Sequence, residues 1–477
     1  MGVQAGAERG GEAILPAHAI EALRGSVRGA VLAPADPGYD DARAVWNAMI
    51  DRRPAVIVRC MSTADVIAAV GFAREHGLPA SVRGGGHNVA GHAVAEAGVM
   101  IDLSLMNGVR VDPDLRRAWV EGGATWGVVD AATQAFGLAT PGGLISETGV
   151  GGLTLNGGIG WLRSRYGLSI DNLVAADVVT AHGRLVHAST DENPDLLWAL
   201  RGGGGNFGVV TGFEFALHPV GPTVMFCAPI YPIEAGAGPI RAWRDFVADK
   251  HGRVGSIVEF STVPESADYP EAAWGRRVYT IAAVYAGDAA EGEALLQPLR
   301  ELAEPVVDFS GQMAYVDVQR LFDAVIPFGQ HRCYWKSRYL DGLGDDVIDL
   351  VVEGNRQPPS AGTLSSIWNF GGATAAVPAD ATAFGDRSMP WMVSFDSIWD
   401  TADQDEANIA WTRDRWEQLR PYSRQDRIYL NFPGHGEDGE DLTRRSYGAN
   451  YARLAEIKRR YDPTNMFRFN QNITPAP

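Results

Sequence analysis

The sequence predicts an α+β protein with more than one domain, and three observations carry that prediction. A strand–helix–strand unit is legible over residues 54–83, and a strand–helix pair over 117–137 repeats it in outline. Residues 223–427 instead mix strand-like runs with amphipathic helices. A chain of 477 residues, 46% hydrophobic and 21% charged, has apolar material for about two to three cores.

Residues 1–50 read as a loose leader with one amphipathic segment. Pro54–Arg59 is apolar enough for a buried strand, Ser62-Thr-Ala-Asp65 opens a helix, and Gly77 sits where a helix stops. Pro79–Arg83 is the next strand and runs into Gly84-Gly85-Gly86-His87-Asn88; another strand comes at Val99–Leu103. Arg117–Glu121 and Trp126–Phe136 form the second strand and helix, and a glycine-rich passage fills 141–160. A hairpin is expected around His182-Gly183, a short helix over Asp195–Leu200 and a strand over Gly212–His218. Pro219–Pro222 marks a boundary. Beyond it, Val224–Ile230 and Val278–Tyr285 read as strands, Ala289–Leu302 and Asp405–Leu419 as helices. Tyr429–Phe432 opens the last segment, where one helix carries Tyr447, Tyr451, Leu454 and Tyr461 and stops at Asp462-Pro463. The resulting units are 1–50, 51–220, 221–427 and 428–477.

Composition excludes several functions. Lys+Arg 41 against Asp+Glu 58 leaves a net charge of −17, which opposes binding to nucleic acid or to an anionic membrane. Cys60, Cys227 and Cys333 are odd in number and far apart, without CxxC or zinc spacing, so neither a disulfide scaffold nor a metal is expected. No apolar run reaches the ~20 residues of a membrane span. The N-terminus lacks a basic stretch preceding an apolar one, so no signal peptide is expected, and the working location is cytoplasmic. A homo-oligomer is left open.

Glycine loops alone are weak signals. Gly202–Gly208 fits tight turns, and the residues after Gly84-Gly85-Gly86 do not read as the helix a nicotinamide Rossmann site requires. Three glycines can, however, press backbone N–H groups against a pyrophosphate, a local anion site that an acidic chain needs. His87 would then project toward whatever the pyrophosphate carries. On residue type alone, a turn histidine is the commoner reading.

Several motifs occur together in order: Val82-Arg-Gly-Gly-Gly-His-Asn88, Asp102-Leu-Ser104, the 141–160 passage with Tyr166–Asn172, and Gly205-Asn-Phe-Gly-Val-Val210. They resemble the FAD-binding domain of the vanillyl-alcohol-oxidase (PCMH-type) class. The tail, with Tyr429-Leu-Asn-Phe432, Tyr447-Gly-Ala-Asn450, Lys458, Tyr461-Asp-Pro-Thr-Asn465 and Asn470-Gln-Asn-Ile473, resembles berberine-bridge-enzyme-like oxidoreductases. The resemblance covers about 50–220 and 428–477. It implies a two-subdomain FAD-binding domain and an α+β substrate domain whose antiparallel sheet is covered by helices.

The same resemblance implies FAD linked covalently through His87. It places the cofactor along Arg83, Gly84, Gly85, Gly86, Asn88, Gly91 and His92, then Asp102 and Leu103. Further contacts fall at Pro141, Gly142, Gly143, Thr148, Gly149, Gly152, Leu155, Gly158, Gly160 and Trp161, at Gly208, Val209 and Val210, and at Asn470 and Asn472. Relatives with a second link carry cysteine where this chain has Ile145, so a single link is implied, as in the 6-hydroxynicotine oxidase-like branch. Thr148 stands at the position that gates oxygen. Tyr429 is the candidate proton acceptor, with Lys336 as the cation that would lower its pKa from near 10. Ile159 and Phe432 replace tyrosines of some relatives, which counts against a two-tyrosine mechanism.

The remaining candidates carry bland readings: His331 and His435 as solvated loop residues, Glu147 as a loop carboxylate, and Trp368, Phe370, Trp391 and Trp399 as core. The expected activity is hydride abstraction from an alcohol or amine carbon of a small ring-bearing molecule (sugar, alkaloid or natural product), with electrons passed to O2. A flavin dehydrogenase or oxidative cyclase with another acceptor is the alternative. A binding protein on the same scaffold is the second alternative.

Overall fold

The computed structural model describes residues 3–7, 11–250, 252–434 and 440–477. Val56–Arg59, Thr63–Glu75 and Ala80–Arg83 form the strand–helix–strand unit. The Ser62 hydroxyl caps the helix by accepting from the Asp65 N–H at 3.4 Å, and Gly77 ends it with φ +64°. Val99–Asp102 lies between the two strands and parallel to both, while Val31–Leu32 adds antiparallel to the first of them. The chain before residue 50 is therefore no loose leader. It supplies a strand to this sheet and buries Trp46, which is 1% exposed.

A second sheet runs in the order Leu185–Ala188, Leu173–Val179, Val209–Ala216, Arg117–Glu121, Val109–Asp112, every pair antiparallel. These two sheets make the first lobe. Past His218–Pro219 the chain enters the second lobe, a nine-stranded sheet whose centre is Arg277–Tyr285, Gly255–Thr262, Leu364–Asn369, Trp391–Trp399 and Arg332–Leu340. All its pairings are antiparallel.

Strand alternation gives that sheet two different faces. Val258, Ile367, Val393 and Phe395 share a core with Trp243, Val347 and Trp416 from the helices Gly238–Asp249, Asp345–Gly354 and Asp405–Gln418. Ile257, Trp368 and Met392 point the other way and cluster with Trp161 and Tyr429. One face is helix-covered. The other meets the first lobe.

The final segment departs from the sequence reading in one place. It opens with a turn at Tyr429–Phe432, where the Phe432 N–H donates to the Tyr429 carbonyl at 2.8 Å. The long helix is two helices, Glu440–Tyr447 and Tyr451–Tyr461, because Gly448 adopts φ +55° between them. Buried Lys458 then donates to Asp462 Oδ2 (2.7 Å), the Asn206 carbonyl (2.8 Å) and the Phe467 carbonyl (3.0 Å). That clamp returns the chain to the first lobe, where the Ala80 N–H donates to the Met466 carbonyl at 3.1 Å.

Candidate active site

A cavity of about 270 Å³ lies between the lobes, walled by glycine loops on one side and by the uncovered sheet face on the other. Two loops meet at its edge. A Cβ on Gly85 would lie 2.5 Å from the Gly149 nitrogen, so this approach tolerates no side chain. Gly86, at φ +68°, then turns the chain and delivers His87 to the cavity.

The His87 ring stacks on Trp46 with centroids 4.5 Å apart and planes at 23°. Trp46 is fixed in turn: its backbone N–H donates to the Gly86 carbonyl (3.0 Å) and its indole N–H to the Ile326 carbonyl (3.1 Å). Burial pushes the His87 pKa down to about 4, so the ring is neutral at physiological pH. Its Nε2 is shut off from solvent with no hydrogen-bond partner. An orphaned nitrogen is costly in a turn residue, but it suits a nucleophilic imidazole in a site that holds a cofactor.

Sixteen of the residues expected to contact the cofactor or act in catalysis line the cavity: Gly84, Gly85, Gly86, His87, Asn88, His92, Leu103, Gly143, Thr148, Gly149, Gly152, Leu155, Gly208, Val210, Asn470 and Tyr429. The others support it from behind. The Arg83 guanidinium donates to the Ala42 carbonyl, and Asp102 accepts from Arg59 (3.2 Å) and the Ser104 N–H (3.0 Å). Gly91 packs on Ile50, Gly142 on Trp126, and Gly160 on the Gly142 backbone next to Pro141. The Gly158 N–H donates to Tyr429 Oη at 3.2 Å, Trp161 packs on Phe226 and Phe322, and Val209 belongs to the core under the first sheet. Asn472 is half-buried and its Oδ1 has no hydrogen-bond partner, but it does not line the cavity.

Comparison with known proteins fits this geometry. Residues 54–189 match the FAD binding domain family and residues 428–474 the berberine and berberine-like family. An FAD-linked oxidoreductase of Dictyostelium discoideum is 31% identical over 433 residues, covering 90% of this chain and 91% of that protein. The chain belongs to the berberine-like FAD-linked oxidoreductases. Another member, (R)-6-hydroxynicotine oxidase of Paenarthrobacter nicotinovorans, is 31% identical over 471 residues, or 94% of this chain and 97% of that one. The crystal structure of 6-hydroxy-D-nicotine oxidase from Arthrobacter nicotinovorans superposes with a TM-score of 0.83 at 29% identity, covering 94% and 99% of the two chains. A xylooligosaccharide oxidase from Myceliophthora thermophila shares the fold, with a TM-score of 0.84 at 24% identity over 97% and 100%.

Within this berberine-like enzyme, the catalytic candidates need correction. Lys336 does not face Tyr429. Strand alternation sends Trp335 to the cavity and Lys336 to the opposite face, where its Nζ lies 4.2 Å from the Trp416 ring centroid. Tyr429 Oη accepts from the Asn431 amide at 2.8 Å and from Gly158, yet burial pushes its pKa up to about 12. It keeps its proton near neutrality and is a poor base. Trp368 lines the cavity rather than serving as core alone, whereas Phe370, Trp391 and Trp399 are buried away from it. His331 pairs with Asp400 (2.8 Å), Glu147 is exposed, and His435 lies outside the described residues.

The sequence reading missed the opposing wall. Glu259, Ser366 and Asp396 line the cavity from three adjacent strands, with Trp335 and Phe432 beside them. For Asp396 the signal was the alternation in Val393-Ser-Phe-Asp396, where polar residues at every second position mark one face. Trp46, in the segment read as leader, left no such periodic trace.

Proposed function

We propose that this FAD-dependent oxidoreductase is an oxidase whose flavin is tethered through His87 and which oxidises an alcohol or amine carbon of a small ring-bearing molecule. The observation that carries the reading is the His87 ring itself: neutral, stacked on Trp46 and carrying a buried, unpartnered nitrogen at the cavity wall. FAD, when bound, supplies a hydride acceptor and, once reduced, a donor of electrons to O2. Gly84–Gly86, Gly149 and Gly152 would hold its phosphates and ring edge through backbone N–H groups, and Asn470, with an unpartnered Oδ1, would meet its polar rim. Ile145 lines the cavity where a second link would need cysteine, and Cys60, Cys227 and Cys333 are all buried elsewhere, which supports a single tether.

On the substrate side, Tyr429 donates its hydroxyl proton as a hydrogen bond that orients the substrate oxygen or nitrogen. The proton released at that atom passes to the carboxylate of Glu259, whose burial pushes its pKa up to about 7, matched to neutral operation. Aromatic side chains around the cavity exclude water from the reacting carbon. Oxygen uptake with matching peroxide formation, measured across a panel of sugars, ring alcohols and ring amines, tests this reading. Turnover that reduces an artificial dye but consumes no oxygen contradicts the oxidase assignment and supports a dehydrogenase.

A further inference from the structure

Asp396 is the most anomalous side chain in the cavity wall. It is 6% exposed; Oδ2 accepts from the Ser394 hydroxyl at 2.8 Å, and Oδ1 is buried with no hydrogen-bond partner. Glu259 lies on the same sheet face, two strands away in the order Gly255–Thr262, Leu364–Asn369, Trp391–Trp399, with Ser366 between them. Both carboxyls line the cavity, which among the described residues is lined by no lysine or arginine. An unpaired acid in an apolar pocket is destabilising unless a ligand completes it.

The surroundings favour a cation over a neutral polyol. Trp335, Trp368 and Phe432 wall the same space, and Trp335 and Phe432 meet edge-to-face at 5.3 Å. Aromatic faces beside carboxylates form a desolvated shell that attracts ammonium groups. Arg277, on the strand beside Glu259, is the nearby positive charge and lies on the helix-covered face. Its guanidinium is committed to the Asn355 carbonyl (3.0 Å), Asn355 Oδ1 (3.0 Å), the Thr363 carbonyl (2.8 Å) and the Thr262 hydroxyl (3.3 Å). It leaves the Asp396 end of the pair uncompensated.

We propose that Glu259 and Asp396 form a cation subsite that receives the protonated nitrogen of a ring-bearing amine, seating the ring between the aromatic walls. The inference rests on the oxidase reading only for its location beside the flavin; binding itself needs no turnover.

Calorimetric titration of the protein as purified, with benzyltrimethylammonium as cationic probe and benzyl alcohol as neutral probe, tests it. The expected result is cation binding weakened at least tenfold by Asp396→Asn and by Glu259→Gln, with benzyl alcohol affinity within twofold of wild type in Asp396→Asn. Should either variant fail to fold, a pH series on the wild type serves instead. Glu259 gains charge between pH 6 and 8, while burial holds the Asp396 carboxyl well above the usual carboxylate range, His87 is already neutral, Tyr429 stays protonated and Arg277 stays charged. Binding of the permanent cation then strengthens at least threefold over that range, and benzyl alcohol binding does not. His92, the other lining histidine, is controlled by repeating the series in His92→Gln, where the rise must persist. Equal loss of both probes in the variants, or cation binding that neither the variants nor pH alters, would overturn the proposal. A protein purified without flavin yet showing the cation preference would instead refute the oxidase reading and leave the subsite standing.

Discussion

Stacking against Trp46 restricts the His87 ring to one orientation, so the geometry of any bond to the cofactor depends on a residue outside the glycine loop. Trp46→Leu removes that wall and should lower the fraction of flavin that stays with acid-precipitated protein, while Trp46→Phe should restore most of it; absorbance of pellet and supernatant reads both. The carboxyl opposite makes a different prediction. The pKa of Glu259 in the folded chain, about 7, lies above the ordinary carboxyl value. Its contribution to stability is therefore intact at acid pH and lost as pH rises through about 7. Glu259→Gln should melt close to wild type at pH 5 and above it at pH 8, by about 1–3 kcal/mol allowing for partial exposure to the cavity. A gain that shrinks with rising pH would contradict the assigned direction.

The strand–helix–strand unit at 54–83 was legible because its cap, stop and apolar runs are all local signals. The loops at 84–87 and 149–152 were legible as motifs, but their mutual contact is a tertiary fact: Gly85 needs no side chain because Gly149 occupies the space. Gly85→Ala should force the two loops apart, and loss of bound flavin with a folded second lobe is the expected outcome, read by flavin absorbance together with far-UV circular dichroism. The substrate sheet was less legible. In Arg332–Leu340 nearly every residue is buried, so no polar face marks its register, and Lys336 could be assigned to the cavity when it belongs to the helix side. Gly448, inside a helical stripe of tyrosines, was the local sign of a break that the stripe concealed.

Across the whole molecule, the cavity exists because distant parts of the chain converge on it: the segment before residue 50, the glycine loops, the second-lobe sheet and the tail. The tail is held by Lys458, whose ammonium has three buried oxygen partners and is 0% exposed. Lys458→Met leaves Asp462 as a buried unpaired charge, with a cost of about 3–5 kcal/mol. A fall in melting temperature accompanied by weaker flavin retention is expected, because Phe467, Asn470 and Gln471 line the cavity from this segment. The tether at His87 is the claim on which the flavin chemistry, the cavity division and the oxidase reading converge. Acid precipitation, then protease digestion and mass spectrometry, measures it directly. One yellow peptide is expected, spanning Gly84–Asn88, heavier by one FAD and absent from His87→Ala; an unmodified His87 peptide in flavin-loaded wild type, or FAD on any cysteine, would contradict the tether.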